Sequence, residues 1–298
     1  MKRLSSFLLT LVLAAGFASA QTPDETLDQF NAALEDFLVE INTALPDNAV
    51  VGGAWSDAYI GQIVGIPPHF GAGVAAGVSR FPVTALKTAI ELTGQDLPVE
   101  ELVLPNFAIE GRIGGFLLPF DIGLRGGLLP EFTFDDVTIG YMNIGADIRY
   151  ALLKGNLAMP SVSVGLGYYY TSGSVSYMFD PNDLVDFNYP GAEEPNLPDQ
   201  ELAIDFSTQV IEAKAQISKG LIIATPYLGA AASLSMSEAT YKLINQTKTV
   251  STADDPQLGM RIYGGTSFNL LLLKIDLTGM YNILSGNWGA NLGARIQL

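Results

Sequence analysis

The 298-residue chain has no cysteine, one histidine, two tryptophans and only 15 basic residues against 31 acidic ones. Without Cys it has no disulfide scaffold, no thiolate-held zinc or iron–sulfur centre, and no lipid-bearing N-terminal Cys. A formal charge of −16 repels phosphate, so nucleic acid is not an expected partner. Charged residues are only 15% of the chain while hydrophobic residues are 48%, the reverse of a disordered composition. Long apolar runs are scarce as well. The uncharged stretch Gly155 to Phe179 is broken by Pro160 and by repeated Gly and Ser. It also alternates, with Val162, Val164, Leu166, Tyr168 and Tyr170 on one parity and Ser161, Ser163, Gly165 and Gly167 on the other. A period of two marks a strand, not a membrane helix.

One apolar run is of another kind. Residues 1–20 begin with Lys2 and Arg3, continue through an apolar core from Phe7 to Phe17 and end in Ala18-Ser19-Ala20. That pattern predicts a cleaved secretory signal peptide, since the run is shorter than the about 20 residues of a membrane anchor. The mature chain would carry a charge of −18, with 13 basic and 31 acidic residues.

Residues 21–46 are predicted to form an acidic amphipathic helix. Leu27, Phe30, Leu34, Phe37, Leu38, Ile41 and Leu45 recur at three- and four-residue steps, opposite Asp24, Glu25, Asp28, Glu35, Asp36 and Glu40. Pro46 is expected to stop it. An acidic face does not suit anionic lipid, which leaves docking on protein, plugging a lumen or covering a barrel end. Residues 47–69 read as an irregular lead-in, a possible plug. Ten strands are expected in 70–298, at about 70–80, 106–115, 118–130, 137–152, 158–179, 201–218, 221–237, 257–268, 271–284 and 287–298.

Parity along these strands separates apolar from ionic residues. Phe107, Ile109 and Ile113 oppose Glu110 and Arg112; Ile122 and Leu124 oppose Asp121 and Arg125; Ile144 and Ile148 oppose Asp147 and Arg149. Near the C-terminus, Met260 and Ile262 oppose Arg261, Ile275 and Leu277 oppose Lys274 and Asp276, and Leu292 and Ile296 oppose Arg295. Such alternation fits either a soluble barrel with its apolar face inward or a membrane barrel with that face outward. Connection lengths favour the membrane barrel. Segments 81–105, 131–136, 180–200 and 238–256 are all longer than any of 116–117, 153–157, 219–220 and 269–270, and only 285–286 breaks the rhythm.

Charge is partitioned to match. The 180–200 segment holds Asp180, Asp183, Asp186, Glu193, Glu194 and Asp199 with no base, whereas strands and lead-in, with 239–256 set aside as balanced, hold ten acids and ten bases. A narrow interior neutralised by cross-strand pairs follows. Tyr141, Tyr168 to Tyr170, Tyr177, Phe179, Tyr263, Tyr281 and Trp288 lie near strand ends, as interfacial girdles do. One strand misbehaves: Ile204 and Phe206 share parity with Glu212 and Lys214, which calls for a bulge near Val210-Ile211 or for a different strand from 201–218.

With its alternating strands and the terminal segment Trp288 to Leu298, the chain resembles bacterial outer-membrane β-barrel proteins in a small form. The N-terminal helix is faintly similar to the hatch of long-chain fatty-acid transporter barrels. The resemblance implies an all-β antiparallel transmembrane up-and-down barrel of about ten strands, an outer-membrane location, outer-membrane lipid around it and the barrel-assembly machinery as a partner in biogenesis.

No catalytic, cofactor or metal set emerges. His69 sits between Pro68 and Phe70 at the start of strand one, at the wrong end for outward-facing chemistry, and reads as a turn residue. The Gly71–Gly77 run lacks the strand–helix context of a dinucleotide loop, and the 180–200 acids lack calcium-loop spacing. The chain is therefore expected not to be an enzyme. Glu110, Arg112, Asp121, Arg125, Asp147, Arg149, Arg261, Lys274, Asp276 and Arg295 are the expected lumen-lining residues. Three functions fit: a narrow channel or small-solute or lipid-type transporter gated by its N-terminal segment, a surface-interaction protein acting through acidic external loops, and a soluble periplasmic lipid-binding barrel.

Overall fold

A computed structural model describes residues 23–60, 69–91, 101–115, 119–134, 137–156, 158–179, 200–243 and 246–297. The expected signal peptide and the acids of the 180–200 segment lie outside the described residues. The elements in chain order are α1 (Pro23–Val50), β1 (His69–Pro82), α2 (Thr84–Glu91), β2 (Glu101–Gly114), β3 (Phe120–Phe134), β4 (Val137–Leu153) and β5 (Ser161–Phe179). They continue with β6 (Gln200–Ser218), β7 (Ala224–Leu243), β8 (Gln246–Ser251), β9 (Gln257–Leu270), β10 (Leu273–Asn282) and β11 (Trp288–Gln297). Each strand pairs antiparallel with the next, β7 pairs with β9, and β1 pairs with β11, so ten strands close a ring. β8 pairs only with the outer part of β7, as a ribbon standing off the ring. The connections between the expected strands 131–136 and 238–256 are thus largely strand themselves, with residues 135–136 all that separates β3 from β4.

Which way the alternation faces decides the solvent. Ile122 is 40% exposed and Ile148 46%, whereas the side chains of Arg125 and Arg149 are 6% and 3% exposed. Apolar residues cover the outside and ions fill the centre, the arrangement of a barrel in hydrocarbon. Girdle residues divide: Tyr168, Tyr281 and Trp288 are exposed, but Tyr169 and Tyr263 point inward and are buried. Tyr263 shares its parity with buried Arg261 and Tyr169 with buried Ser163 and Thr171, so both belong to the lumen.

Three expectations need correction. Pro46 does not end α1, which runs on to Val50. A mid-helix Pro costs about 3 kcal/mol, offset here because Ala44, Leu45, Ala49 and Val50 are buried and Asp47 and Asn48 bond to the wall. The expected bulge at Val210-Ile211 is absent, since β6 keeps one register against both neighbours from end to end. Ile204 and Phe206 point inward with Glu212 and Lys214 because the outer part of the lumen is apolar, packed by α1. The 81–105 segment contains α2 and the first residues of β2.

The chain threads its own barrel. α1 packs in the mouth at the end carrying the long connections, against Phe81, Val83, Ala239 and Tyr241. Gly52 follows it with φ of 75°, and a Cβ there would lie 2.7 Å from Asn291 Oδ1, so the turn out of the helix admits only glycine. Residues 53–60 then run down the lumen to the opposite end. There the Ile60 amide donates to Asp121 Oδ2 at 3.1 Å, and His69 Nδ1 lies 3.0 Å from the Ile60 carbonyl. β1 begins at that point.

Candidate functional site

The lumen is a lattice of ion pairs built around this thread. Arg112 reaches Asp121 at 2.5 Å and Asp147 at 2.6 Å, and Arg149 donates to both oxygens of Asp121 at 2.9 Å. Lys214 lies 3.2 Å from Asp147, and Arg261 is 2.5 Å from Glu212. Arg125 approaches Glu110 at 3.8 Å and donates to the Val51 carbonyl at 2.7 Å. Arg295 pairs with Asp276 and also reaches Asp57 at 2.9 Å, where Lys274 joins at 2.7 Å. Trp55 lies between two guanidinium groups, with Arg295 4.6 Å and Arg112 5.4 Å from its ring, and its indole donates to Glu110 at 2.7 Å.

All ten residues named from the sequence project into this lattice. Sequence reasoning missed Glu212, Lys214, Trp55, Asp57, Tyr169 and Tyr263 as its members. The first two carried a signal, since they alternate with Ala213 and Ala215. Trp55 and Asp57 carried none, because their segment is irregular and the barrel wall alone positions them. The neutrality counted over strands and lead-in together is divided between wall and thread. Arg112, Arg125, Arg149, Lys214, Arg261, Lys274 and Arg295 outnumber Glu110, Asp121, Asp147, Glu212 and Asp276 by two. Asp47 and Asp57 of the N-terminal segment restore the balance. Two spaces bordering the thread measure about 10 Å³ each, at most the room of a single water.

Above the lattice the chemistry changes. Between α1 and the wall lies a chamber of about 260 Å³ lined by Leu34, Phe37, Leu38, Ile41 and Leu45 of α1. Phe81, Leu86, Leu102, Val103, Leu104, Val175, Ile204, Phe206 and Tyr241 complete it. The Tyr241 hydroxyl is its one polar side-chain group. Glu40 fixes the roof: its carboxylate accepts from the Ala85 amide at 3.1 and 3.2 Å at the N-terminus of α2. Burial, and after it the nearby Asp36, raises the Glu40 carboxyl above its ordinary value even though the Ala85 bond opposes the shift.

A wall that closes in register, an apolar exterior and a plugged ionic lumen define a membrane-spanning β-barrel of ten strands. No protein-family model matches the chain, and no curated protein matches it. Among solved structures it is similar to the outer membrane protease OmpT from Escherichia coli, at 10% identity and a TM-score of 0.44, over 78% of this chain and 99% of that one. It is similar also to the translocator domain of the autotransporter NalP from Neisseria meningitidis, at 10% identity and 0.39, over 90% and 97%. A Pseudomonas aeruginosa FadL homologue matches at 10% identity and 0.29, over 86% and 97%.

Proposed function

We propose that the protein is an exported outer-membrane barrel that binds and passes a slender apolar ligand, an acyl chain, rather than an aqueous channel. The observation that carries this reading is the chamber beneath α1. It offers a ligand almost nothing but hydrocarbon, and its 260 Å³ holds roughly nine groups the size of a water or methylene at ~30 Å³ each. Ligand sites are mostly apolar and are built where separate elements meet, as α1, α2 and the barrel wall do here. The lattice below supports the same reading, because most of its ions are locked in pairs at 2.5 to 3.2 Å around a central peptide, and the two spaces measured beside the described part of the thread hold at most one water each.

The test is titration of cis-parinaric acid into the protein in phosphatidylcholine nanodiscs. Saturable binding, one ligand per chain, is expected beyond the partitioning of empty discs. Leu104→Trp, at a half-buried lining position, should weaken it tenfold or more. Fluorescence that rises only as it does in empty discs would remove the proposal.

A further inference from the structure

β2 and β3 are paired only over Ile109–Gly114 with Asp121–Gly126. Both strands continue eight residues beyond the last pair, to Glu101 and to Phe134, each hydrogen-bonded on its far side to β1 or β4. Among the described residues no other seam of the ring leaves two facing strands unzipped in this way. Resting on the acyl-chain reading above, we propose that this seam is a lateral doorway through which the chain passes between the chamber and the surrounding lipid.

Sequence and geometry agree on where the ladder must stop. Carried four residues beyond Ile109–Gly126, the same register would set Pro105 of β2 against Pro130 of β3. Neither residue has an amide to donate, and Pro is confined to free edges and bulges. β3 does bulge there, slipping register against β4 between Leu129 and Phe132. Exposure follows: Leu102 and Val103 are both exposed, as are Leu128 and Leu129, although neighbours in a barrel wall normally alternate.

The base of the opening is built as a stop. Asn143 of β4 sends its Nδ2 across Gly127 to the Phe107 carbonyl at 2.7 Å, taking the place of the next ladder bond. A Cβ on Gly127 would lie 1.9 Å from that carbonyl oxygen, so only glycine lets β2 and the Asn143 side chain meet. Below this point the six paired residues of β2 span about 20 Å at 3.3 Å each. With the usual strand tilt, that brings the stop to roughly the middle of a hydrocarbon layer ~25 Å tall. The seam therefore opens within the leaflet nearer the long connections, where acyl chains are what surrounds it.

The doorway leads to the chamber. Leu102, Val103 and Leu104 all line it, although successive strand residues face opposite sides of a sheet. All three reach one space only where the strand's free edge borders it. Exposed backbone groups are costly in hydrocarbon; two prolines reduce the number of donors left unpaired along this edge.

Because the chain has no Cys, a single introduced thiol can block the seam. Leu129→Cys lies on the β3 edge and does not line the chamber. After labelling with a bulky maleimide, it should leave the equilibrium affinity for cis-parinaric acid unchanged while slowing loading from phosphatidylcholine vesicles, and release into them, at least tenfold. Leu258→Cys, on the lipid face of β9, carries the same label as a control and should load at the unlabelled rate. Pro105→Val with Pro130→Val, which returns both donors, should also slow transfer and raise amide-exchange protection at 103–107. Unaltered rates in the labelled Leu129→Cys protein, or slowing equal to that of labelled Leu258→Cys, would overturn the doorway and leave ligand binding standing. No saturable binding in the unmodified protein would instead overturn the reading beneath it.

Discussion

Asp57 shows how one side chain can hold a lumen together. It is 14% exposed and receives both Lys274 and Arg295, while its own carbonyl accepts from Arg149 at 2.6 Å. Removing one partner of a buried ionic cluster leaves the others desolvated and uncompensated, which costs about 3–5 kcal/mol. Asp57→Ala should therefore lower the unfolding free energy of the vesicle-inserted barrel, read from urea titration, by an amount in that range, while Asp57→Asn, which retains an acceptor, should cost less. A loss below about 1 kcal/mol would mean that water already reaches these cations. Nothing in the irregular 47–69 segment marked Asp57 out, because its role comes from three strands far away in the chain. Arg112, Arg149 and Arg295 were legible, since each sits in an alternating strand whose other parity is apolar.

At the level of elements, strands were easier to read than their ends. Period-two alternation located all ten wall strands, because one face is held to hydrocarbon and the other to ions, and a slip of one residue would invert both. The rule failed in β6, where Ile204 and Phe206 face inward against α1, since parity says which residues share a face and not what that face meets. The β2–β3 seam was hidden for a related reason: Pro105 and Pro130 are each unremarkable until the register brings them opposite. The α1–α2 contact gives a pH prediction. The Glu40 carboxyl lies above its ordinary value of 4.5, so in the folded state it holds its proton to higher pH than in the unfolded chain. Its contribution to docking is full below 4.5 and declines as pH rises through the raised value. Amide-exchange protection of α2 should fall over that interval, and Glu40→Gln should abolish the dependence while keeping an acceptor for the Ala85 amide. Protection that instead rises with pH would reverse the sign.

For the whole molecule, the wall and its N-terminal segment form one electrostatic unit. Full-length protein in a planar bilayer should show no steady current. Deleting residues 23–60 removes Asp47, Asp57 and the thread from a wall with two surplus cations, and should yield small anion-selective conductances, read as a reversal potential under a potassium chloride gradient. Cation selectivity would contradict the balance derived from the lattice. The threading has one more outcome. A barrel of ten strands ordinarily returns its two chain ends to the same compartment, but passage of residues 53–60 through the centre adds an eleventh crossing. A reporter joined just ahead of α1 and another joined after β11 are therefore separated by the bilayer.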